Sequence, residues 1–376
     1  MAICFMVLIA ASKCDGNSNS SKFLAPQQLE AEDTGPACVL VLTYMRSGST
    51  MIGDILQHHE GSAYMFEPLR YIEEDIMQGN NVTFLNSTQR LFNKKDTTSI
   101  LAEMLYRWYK CDVEKINIKD LTSMMLAHSN VFADFYNCFK RAKFNETKYR
   151  IKSCLKRFTK PCNSSKVWII KTIRLEMASV QLLLKWLPRL KVIHLLRDPR
   201  ARISSQLRLR LNDSLLHAAS ECNRMLSDIK LAEQLYQQYP QSIRILQYER
   251  FTNDSIEKTK SMYQFLNFNF TTQIHDYVKA VTLQRNLSRN CDWCVKRTNS
   301  KLASSKWRLT MKYQHVQLID RQCVSLYKRV GILEIKDSQN LKNLNEKFEK
   351  GRQADIEKSA VSPISVLVGK YDGRGR

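Results

Sequence analysis

Acidic residues are scarce in this 376-residue chain: 36 Asp and Glu stand against 58 Lys and Arg, a formal net charge of +22. That deficit exceeds what solubility alone asks for. It implies a polyanionic partner: nucleic acid, an anionic membrane surface or an acidic polysaccharide. Long apolar runs are missing as well. Ala2 to Ala11 is apolar, but a bilayer-spanning helix needs about 20 such residues, and the basic flank of a good signal peptide is absent. The segment reads as a weak signal peptide or as the surviving end of a truncated anchor. No Gly-Lys-Ser/Thr follows Gly48 and Gly53, which argues against a nucleotide kinase. The seven histidines form no His-Glu-x-x-His, and Cys291 and Cys294 make a lone Cys-x-x-Cys without a second ligand pair. No metal is therefore expected. The aromatics do not interleave with basic residues into a base-stacking platform, and no internal repeat is present.

What is there narrows the choice of partner. Asn-x-Ser/Thr occurs nine times, at Asn19, Asn81, Asn86, Asn145, Asn163, Asn212, Asn253, Asn269 and Asn286. Nine sequons point to passage through a secretory compartment. Eleven cysteines suit an oxidising lumen, with at least one thiol left over in a monomer. An acidic polysaccharide gains as the partner, and nucleic acid is not expected.

Three regions follow from composition. Residues 1–37 hold the apolar targeting segment and a polar, flexible stem from Ser12 to Pro36. Residues 38–335 alternate strand and helix. Residues 336–376 form a polar basic tail, expected to be exposed. Short apolar runs at Val39–Tyr44, Ala63–Phe66, Val167–Ile170, Val192–Leu196 and Ile243–Tyr248 suit strands buried on both faces of a parallel sheet. Each has a charged residue at its end: Arg46, Glu67, Lys171, Arg197 and Glu249. Ligands of open α/β sheets bind at those ends. The stripes Val180, Leu183, Leu184, Leu187 and Cys222, Met225, Leu226, Ile229 read as core faces of helices, the second capped by Asp213 or Ser214. His194, in a buried strand, reads as a satisfied core residue. Residues 80–162 are less regular and look like an insertion that shapes an acceptor cleft.

Two loops carry the chemistry. Val39 to Leu42 leads into Thr43-Tyr44-Met45-Arg46-Ser47-Gly48-Ser49-Thr50 and then a helical segment from Met51. A strand, a hydroxyl-rich loop and a helix start make an anion cradle, with Arg46 adding a full charge. The second loop, Leu196-Arg197-Asp198-Pro199-Arg200-Ala201, opens a helix containing Ser204 and Ser205. Arg197 and Ser205 could grip one phosphate together, and Pro199 suits a first helical turn.

The two loops together resemble the sulfotransferases that use 3′-phosphoadenosine 5′-phosphosulfate (PAPS). More narrowly, the chain is similar to the Golgi carbohydrate 6-O-sulfotransferases acting on galactose, N-acetylgalactosamine or N-acetylglucosamine. The likeness runs from about Val39 to Ile332. It takes in Leu56-Gln57-His58, Tyr64-Met65-Phe66-Glu67-Pro68-Leu69, Ile245-Leu246-Gln247-Tyr248-Glu249, Arg297-Thr298, Trp307-Arg308, and Cys323 before Val330-Gly331. His59 in place of proline, Gln206 in place of arginine and Ile332 in place of tyrosine mark a divergent member.

The resemblance implies a P-loop-like α/β sulfotransferase fold over 38–335, a central parallel sheet flanked by helices, with PAPS as co-substrate. Arg46, Ser47, Gly48, Ser49, Thr50 and Met51 would bind the 5′-phosphosulfate, and Arg197 and Ser205 the 3′-phosphate. Glu67 would be the general base, Lys171 would face the sulfonate and leaving phosphate, and Arg46 would stabilise the bridging oxygen. Arg174 would support the site or meet an acceptor anion. Cytosolic sulfotransferases place a histidine two residues after the lysine; here that residue is Ile173, which favours Glu67. The expected acceptor is a 6-hydroxyl in a keratan- or chondroitin-type or N-acetylglucosamine-terminated glycan. The expected setting is the Golgi lumen, anchored as a type II membrane protein through the N-terminus if that is complete, or secreted. Homodimer formation stays open. The alternative is a catalytically inactive acidic-polysaccharide-binding protein on the same fold. A soluble small-molecule sulfotransferase is disfavoured by the sequons, the cysteines and Ile173.

Overall fold

The computed structural model describes residues 35–283 and 300–345. Ala2–Ala11, the stem through residue 34, Cys291, Cys294, Arg297, Thr298 and the tail beyond 345 lie outside the described residues. Among the described residues no helix is long and apolar enough to cross a membrane.

Five strands form one parallel sheet: β1 (Ala37–Leu42), β2 (Ser62–Phe66), β5 (Val167–Thr172), β6 (Leu190–Leu196) and β7 (Ile243–Gln247), in the order β2-β5-β1-β6-β7. A small hairpin, β3 (Val82–Thr83) with β4 (Gln89–Arg90), stands apart. Val39, Leu40, Val41, Ile169 and Ile170 are buried because helices cover both faces of the sheet. Register puts Phe66 beside Lys171 and Leu42 beside both Thr172 and His194, so the strand ends are level. Three expected ends shift. β1 stops at Leu42, two residues short of Tyr44. β5 continues through Lys171 and Thr172, whose backbones still pair with Val41 and Leu42, whereas Tyr248 leaves β7 to begin a helix.

Around the sheet lie α1 (Ser49–Leu56), α2 (Arg70–Gln78), α3 (Thr97–Tyr109), α4 (Ile118–Leu121), α5 (Ala133–Arg141), α6 (Thr147–Ser164), α7 (Met177–Trp186) and α8 (Pro199–Arg208). There follow α9 (Ala218–Gln238), α10 (Tyr248–Asn253), α11 (Ser255–Leu266), α12 (Thr272–Thr282), α13 (Ser300–Ser305), α14 (Trp307–Thr310), α15 (Tyr313–Val330) and α16 (Ser338–Lys342). Both predicted helical stripes face the core, with Val180 and Leu183 fully buried in α7 and Cys222, Met225 and Ile229 buried in α9. The expected cap of α9 differs. Ser214 turns its hydroxyl to the Leu211 carbonyl at 2.7 Å, and a 3-10 turn occupies Asn212–Ser214, so the helix starts only at Ala218.

The stretch 80–162 is mostly helical. Its fold rests on an aromatic cluster of Trp108, Phe132, Phe135 and Phe158 and on disulfides Cys111–Cys162 and Cys138–Cys154. A third disulfide, Cys222–Cys323, ties α9 to α15. In the stretch expected to be a tail, α16 buries Leu341, and Arg308 donates to the carbonyls of Leu341 and Asn340 at 2.9 Å each.

Candidate active site

The first loop leaves β1 through Thr43, whose hydroxyl donates to the Leu195 carbonyl at 3.0 Å and whose N–H donates to Thr172 at 3.2 Å. The chain then needs two left-handed residues to turn into α1, Arg46 (φ 66°) and Gly48 (φ 83°). Gly48 is also forced by space, since a Cβ there would lie 2.1 Å from the Tyr248 ring. α1 has no side-chain cap at its N-terminus. Its first N–H groups and the dipole therefore face outward, as anion binding requires. Ser47 is buried, and its hydroxyl has no hydrogen-bond partner among the described residues. A phosphate oxygen would satisfy that orphan, so the loop fits the 5′ end of a phosphosulfate donor.

The second loop clamps the first. Arg197 donates from Nη1 to the Arg46 carbonyl at 2.9 Å, and Arg202 donates from Nε to the Met45 carbonyl at 3.0 Å. Asp198 caps α8 by accepting from Arg200 N at 2.8 Å, with Pro199 in the first turn. Arg200 is fully buried. It pairs with Asp198 and Asp320, and its guanidinium lies over the Trp307 and Tyr327 rings. That contact explains why Trp307 keeps company with the second loop. Arg197 itself packs on the Tyr248 ring, 4.6 Å from its centroid, and approaches Glu249 at 3.8 Å.

Arg197 and Ser205 do not touch as a direct pair. Arg46 stands between them, donating from Nε to Ser205 Oγ at 2.9 Å while its carbonyl receives Arg197. Arg208 also reaches Ser205 Oγ, at 3.5 Å. Arg202 and Arg208 were not singled out from sequence, and Tyr248 entered only as part of the Ile245–Glu249 motif. Only the basic density of α8 hinted at the first two.

On the other side of β1, Glu67 and Lys171 meet. Glu67 takes a left-handed φ of 52° at the end of β2, and Pro68 follows. Its Oε1 accepts from Lys171 Nζ at 2.5 Å, and its Oε2 accepts from the Ile173 N–H at 3.2 Å and Thr172 Oγ1 at 3.4 Å. Both side chains are buried, about one-twentieth exposed. Arg174 Nε lies 3.9 Å from Glu67, and its Nη1 pairs with Glu73 at 2.6 Å. The start of α2, just past Glu67, is held by Asp120, which accepts from the N–H groups of Tyr71 and Ile72 at 2.8 and 3.1 Å. Burial pushes the Asp120 carboxyl up to about 7.

His194 lies under the loop. Tyr44 gives its one hydroxyl hydrogen to Asp228 at 2.8 Å and so accepts from His194 Nε2–H at 2.9 Å. The bare Nδ1 has no hydrogen-bond partner among the described residues. Burial, with help from Arg224, pushes the imidazole down to about 3. As the pH falls below the ordinary value near 6.5, the unfolded chain takes a proton that the folded one refuses, so stability is lost from about 6.5 downward. Between about pH 7 and pH 5 the wild type should lose roughly 2 kcal/mol more than His194→Gln. Urea unfolding at both pH values measures this, and equal losses would show that the depressed value is absent.

The family model described as Sulfotransferase family matches residues 37–272, which contain both loops and the Glu67–Lys171 pair. The chain belongs to the sulfotransferase family. Its central parallel sheet of five strands, flanked by helices, is the sulfotransferase fold. Among curated relatives, carbohydrate sulfotransferase 1 of Danio rerio is 21% identical, covering 82% of this chain and 80% of the relative. Carbohydrate sulfotransferase 3 of Homo sapiens is 23% identical, covering 81% and 69%. The crystal structure of mouse sulfotransferase SULT7A1 complexed with PAP aligns at a TM-score of 0.38 and 10% identity, over 82% of this chain and 87% of that one. Among the described residues of this sulfotransferase, no group of three or more His, Cys, Asp or Glu could hold a metal ion.

Proposed function

We propose that this sulfotransferase moves a sulfuryl group from PAPS to the 6-hydroxyl of a galactose, N-acetylgalactosamine or N-acetylglucosamine residue in a glycan, with Glu67 as general base. The observation that carries the proposal is the buried Glu67–Lys171 contact, 2.5 Å long, at the joined ends of β2 and β5 and next to the anion loop. A carboxylate that accepts the acceptor hydroxyl's proton and an ammonium that meets sulfonate oxygens are both needed near the transferring group, and this contact holds the two together. The names of the relatives support a carbohydrate acceptor.

PAPS supplies the activated sulfuryl group. The protein supplies position and charge. Arg46, Ser47, Gly48, Ser49, Thr50 and Met51 hold the 5′ end; Arg197 and Ser205, with Arg208, hold the 3′-phosphate. Lys171 neutralises charge that grows on the leaving oxygens. The backbone N–H of Ile173 fixes the Glu67 carboxylate, and Arg174, through Glu73, holds that corner closed. A Golgi-lumenal setting is supported by six exposed sequon asparagines (Asn81, Asn86, Asn145, Asn163, Asn253, Asn269) and by three disulfides.

The test is transfer of labelled sulfate from PAPS to desulfated keratan, desulfated chondroitin and N-acetylglucosamine-terminated acceptors. Label on one acceptor names the sugar. Arg197→Ala should weaken donor binding roughly 10- to 100-fold, the loss of charge-assisted bonds to a phosphate. Unchanged affinity in that variant would overturn the 3′-phosphate assignment. Donor binding without transfer to any acceptor would favour a polysaccharide-binding protein instead.

A further inference from the structure

The charge of the chain is not evenly spread. Residues 138–166 contain ten Lys or Arg and one acidic residue, Glu146. Much of that charge lies on α6, where Lys148, Lys152, Lys156 and Lys160 follow one another at i, i+4 spacing. Such spacing puts them along one slowly winding line about 18 Å long. Like charges four apart repel, so the line costs helix stability. The fold holds the helix in place from behind. Ile151, Cys154 and Phe158 are buried, Cys138–Cys154 staples its middle to α5, and Cys111–Cys162 staples its end to the turn after α3. Lys152, Lys156 and Lys160 are exposed, and none of them sits in an ion pair among the described residues. The nearby Arg157 does, with Asp134 at 2.7 Å, so local pairing was available and was not extended to the lysines.

The line has a direction. Only Ser165 and Lys166 separate α6 from β5, so the helix ends beside the start of β5, opposite the end that carries Lys171. Its N-terminal turn is tied to the start of α2, beside the active-site corner, through intervening contacts. Contacts trace the connection: Lys148 donates to Ser87, Phe84 bridges to Asn117, and Asn117 and the start of α2 both bind Asp120. α2 begins three residues after Glu67.

We propose that the lysine line of α6 is a docking track for an acidic glycan chain, the polymer whose sugars are sulfated, and that it delivers the chain toward Glu67. The proposal rests on the carbohydrate reading and adds the surface and the charge of the acceptor. Charge complementarity identifies the occupant. A linear polyanion with regularly repeated carboxylate or sulfate groups matches a row of unpaired ammonium groups one helical turn apart, and binding releases its counterions.

The experiment uses the glycosylated full chain from a eukaryotic secretory host. Binding is measured to size-defined chondroitin sulfate, to unsulfated chondroitin and to phosphatidylserine vesicles, at low and at physiological salt. Lys152→Gln/Lys156→Gln/Lys160→Gln is compared with Lys230→Gln/Lys279→Gln/Lys312→Gln, which removes the same charge from exposed sites on α9, on α12 and just before α15. The α6 variant should bind the polymer at least about tenfold more weakly and with a flatter salt dependence, and the control should stay within about twofold. With a polymeric acceptor its KM should rise by a similar factor at constant kcat, and with a monosaccharide acceptor nothing should change. Equal loss in both variants, loss in neither, or vesicle binding that depends on the same lysines would each overturn the track. Lysine-dependent glycan binding without any sulfation would overturn the enzymatic reading and leave the surface. Sulfation with an α6 variant that binds like wild type would do the reverse.

Discussion

Glu67→Gln is expected to cut sulfate transfer at least about a thousandfold, within the range that a positioned base contributes, while donor affinity stays within a few fold. The contacts proposed for the two donor phosphates lie in the Arg46–Met51 loop and on α8, and of the donor contacts only Lys171 touches the Glu67 side chain. The substitution has a second effect that must be separated from the first. Lys171 is buried, and its 2.5 Å partner would lose its charge. Leaving a buried cation uncompensated costs about 3–5 kcal/mol in the worst case, and glutamine, which keeps a carbonyl oxygen for Nζ, should cost less. Urea unfolding of the variant therefore accompanies the transfer assay. Glu67→Asp keeps the charge but draws it back by one methylene; it should retain more stability than Glu67→Gln and regain only part of the rate. If Glu67→Gln instead keeps more than about a tenth of the wild-type rate, the base lies elsewhere. If donor binding falls together with stability, Glu67 is a structural tie for Lys171.

How much of this site could be read beforehand depended on distance along the chain. The five strands were legible because each is a short apolar run between helices, and burial on both faces leaves no polar alternation to confuse them. The charged residues near their carboxyl ends were legible because they follow the apolar runs, although β5 itself continues through Lys171. What pairs with what was not. Arg46 is separated from Ser205 by 159 positions, and no local pattern says that its side chain crosses to α8 while its carbonyl takes Arg197. Arg200 was part of a recognised motif, yet its burial against Trp307, Asp320 and Tyr327 is a property of the third dimension. Residues 80–162 looked irregular because the two longer helices with buried stripes, α3 and α6, are separated by short helices, 3-10 turns and loops, and what joins them is two disulfides and an aromatic cluster. The cap of α9 was misplaced for a local reason. Asp213 and Ser214 are good capping residues, but a 3-10 turn occupies Asn212–Ser214 and α9 begins only at Ala218, out of reach of either as its N-cap.

Gly48→Ala should damage both the fold and donor binding, through one contact that can be tested on its own. At φ 83° an alanine sits in the left-handed region, which costs about 1–2 kcal/mol. Its Cβ would also fall 2.1 to 2.7 Å from three atoms of the Tyr248 ring. Something must then shift, and overpacking of this kind typically costs about 1–3 kcal/mol more. The ring cannot move without consequence, because Arg197 lies on its face and from there reaches the Arg46 carbonyl. Donor affinity should fall at least about tenfold, since the displaced guanidinium no longer meets the phosphate squarely. Tyr248→Ala removes the obstacle. In the double variant the stability losses should be non-additive by about 1–2 kcal/mol in the favourable direction, because the clash is gone and only the backbone strain remains. Donor affinity should stay low, because Arg197 has lost the surface it rests on. Urea unfolding and calorimetric titration with 3′-phosphoadenosine 5′-phosphate on all four proteins complete the cycle. Additive stability losses would mean that the ring is not what Gly48 accommodates. Wild-type affinity in Gly48→Ala would mean that the donor phosphates bind away from this loop, and the assignment of residues 46–51 would fall with it.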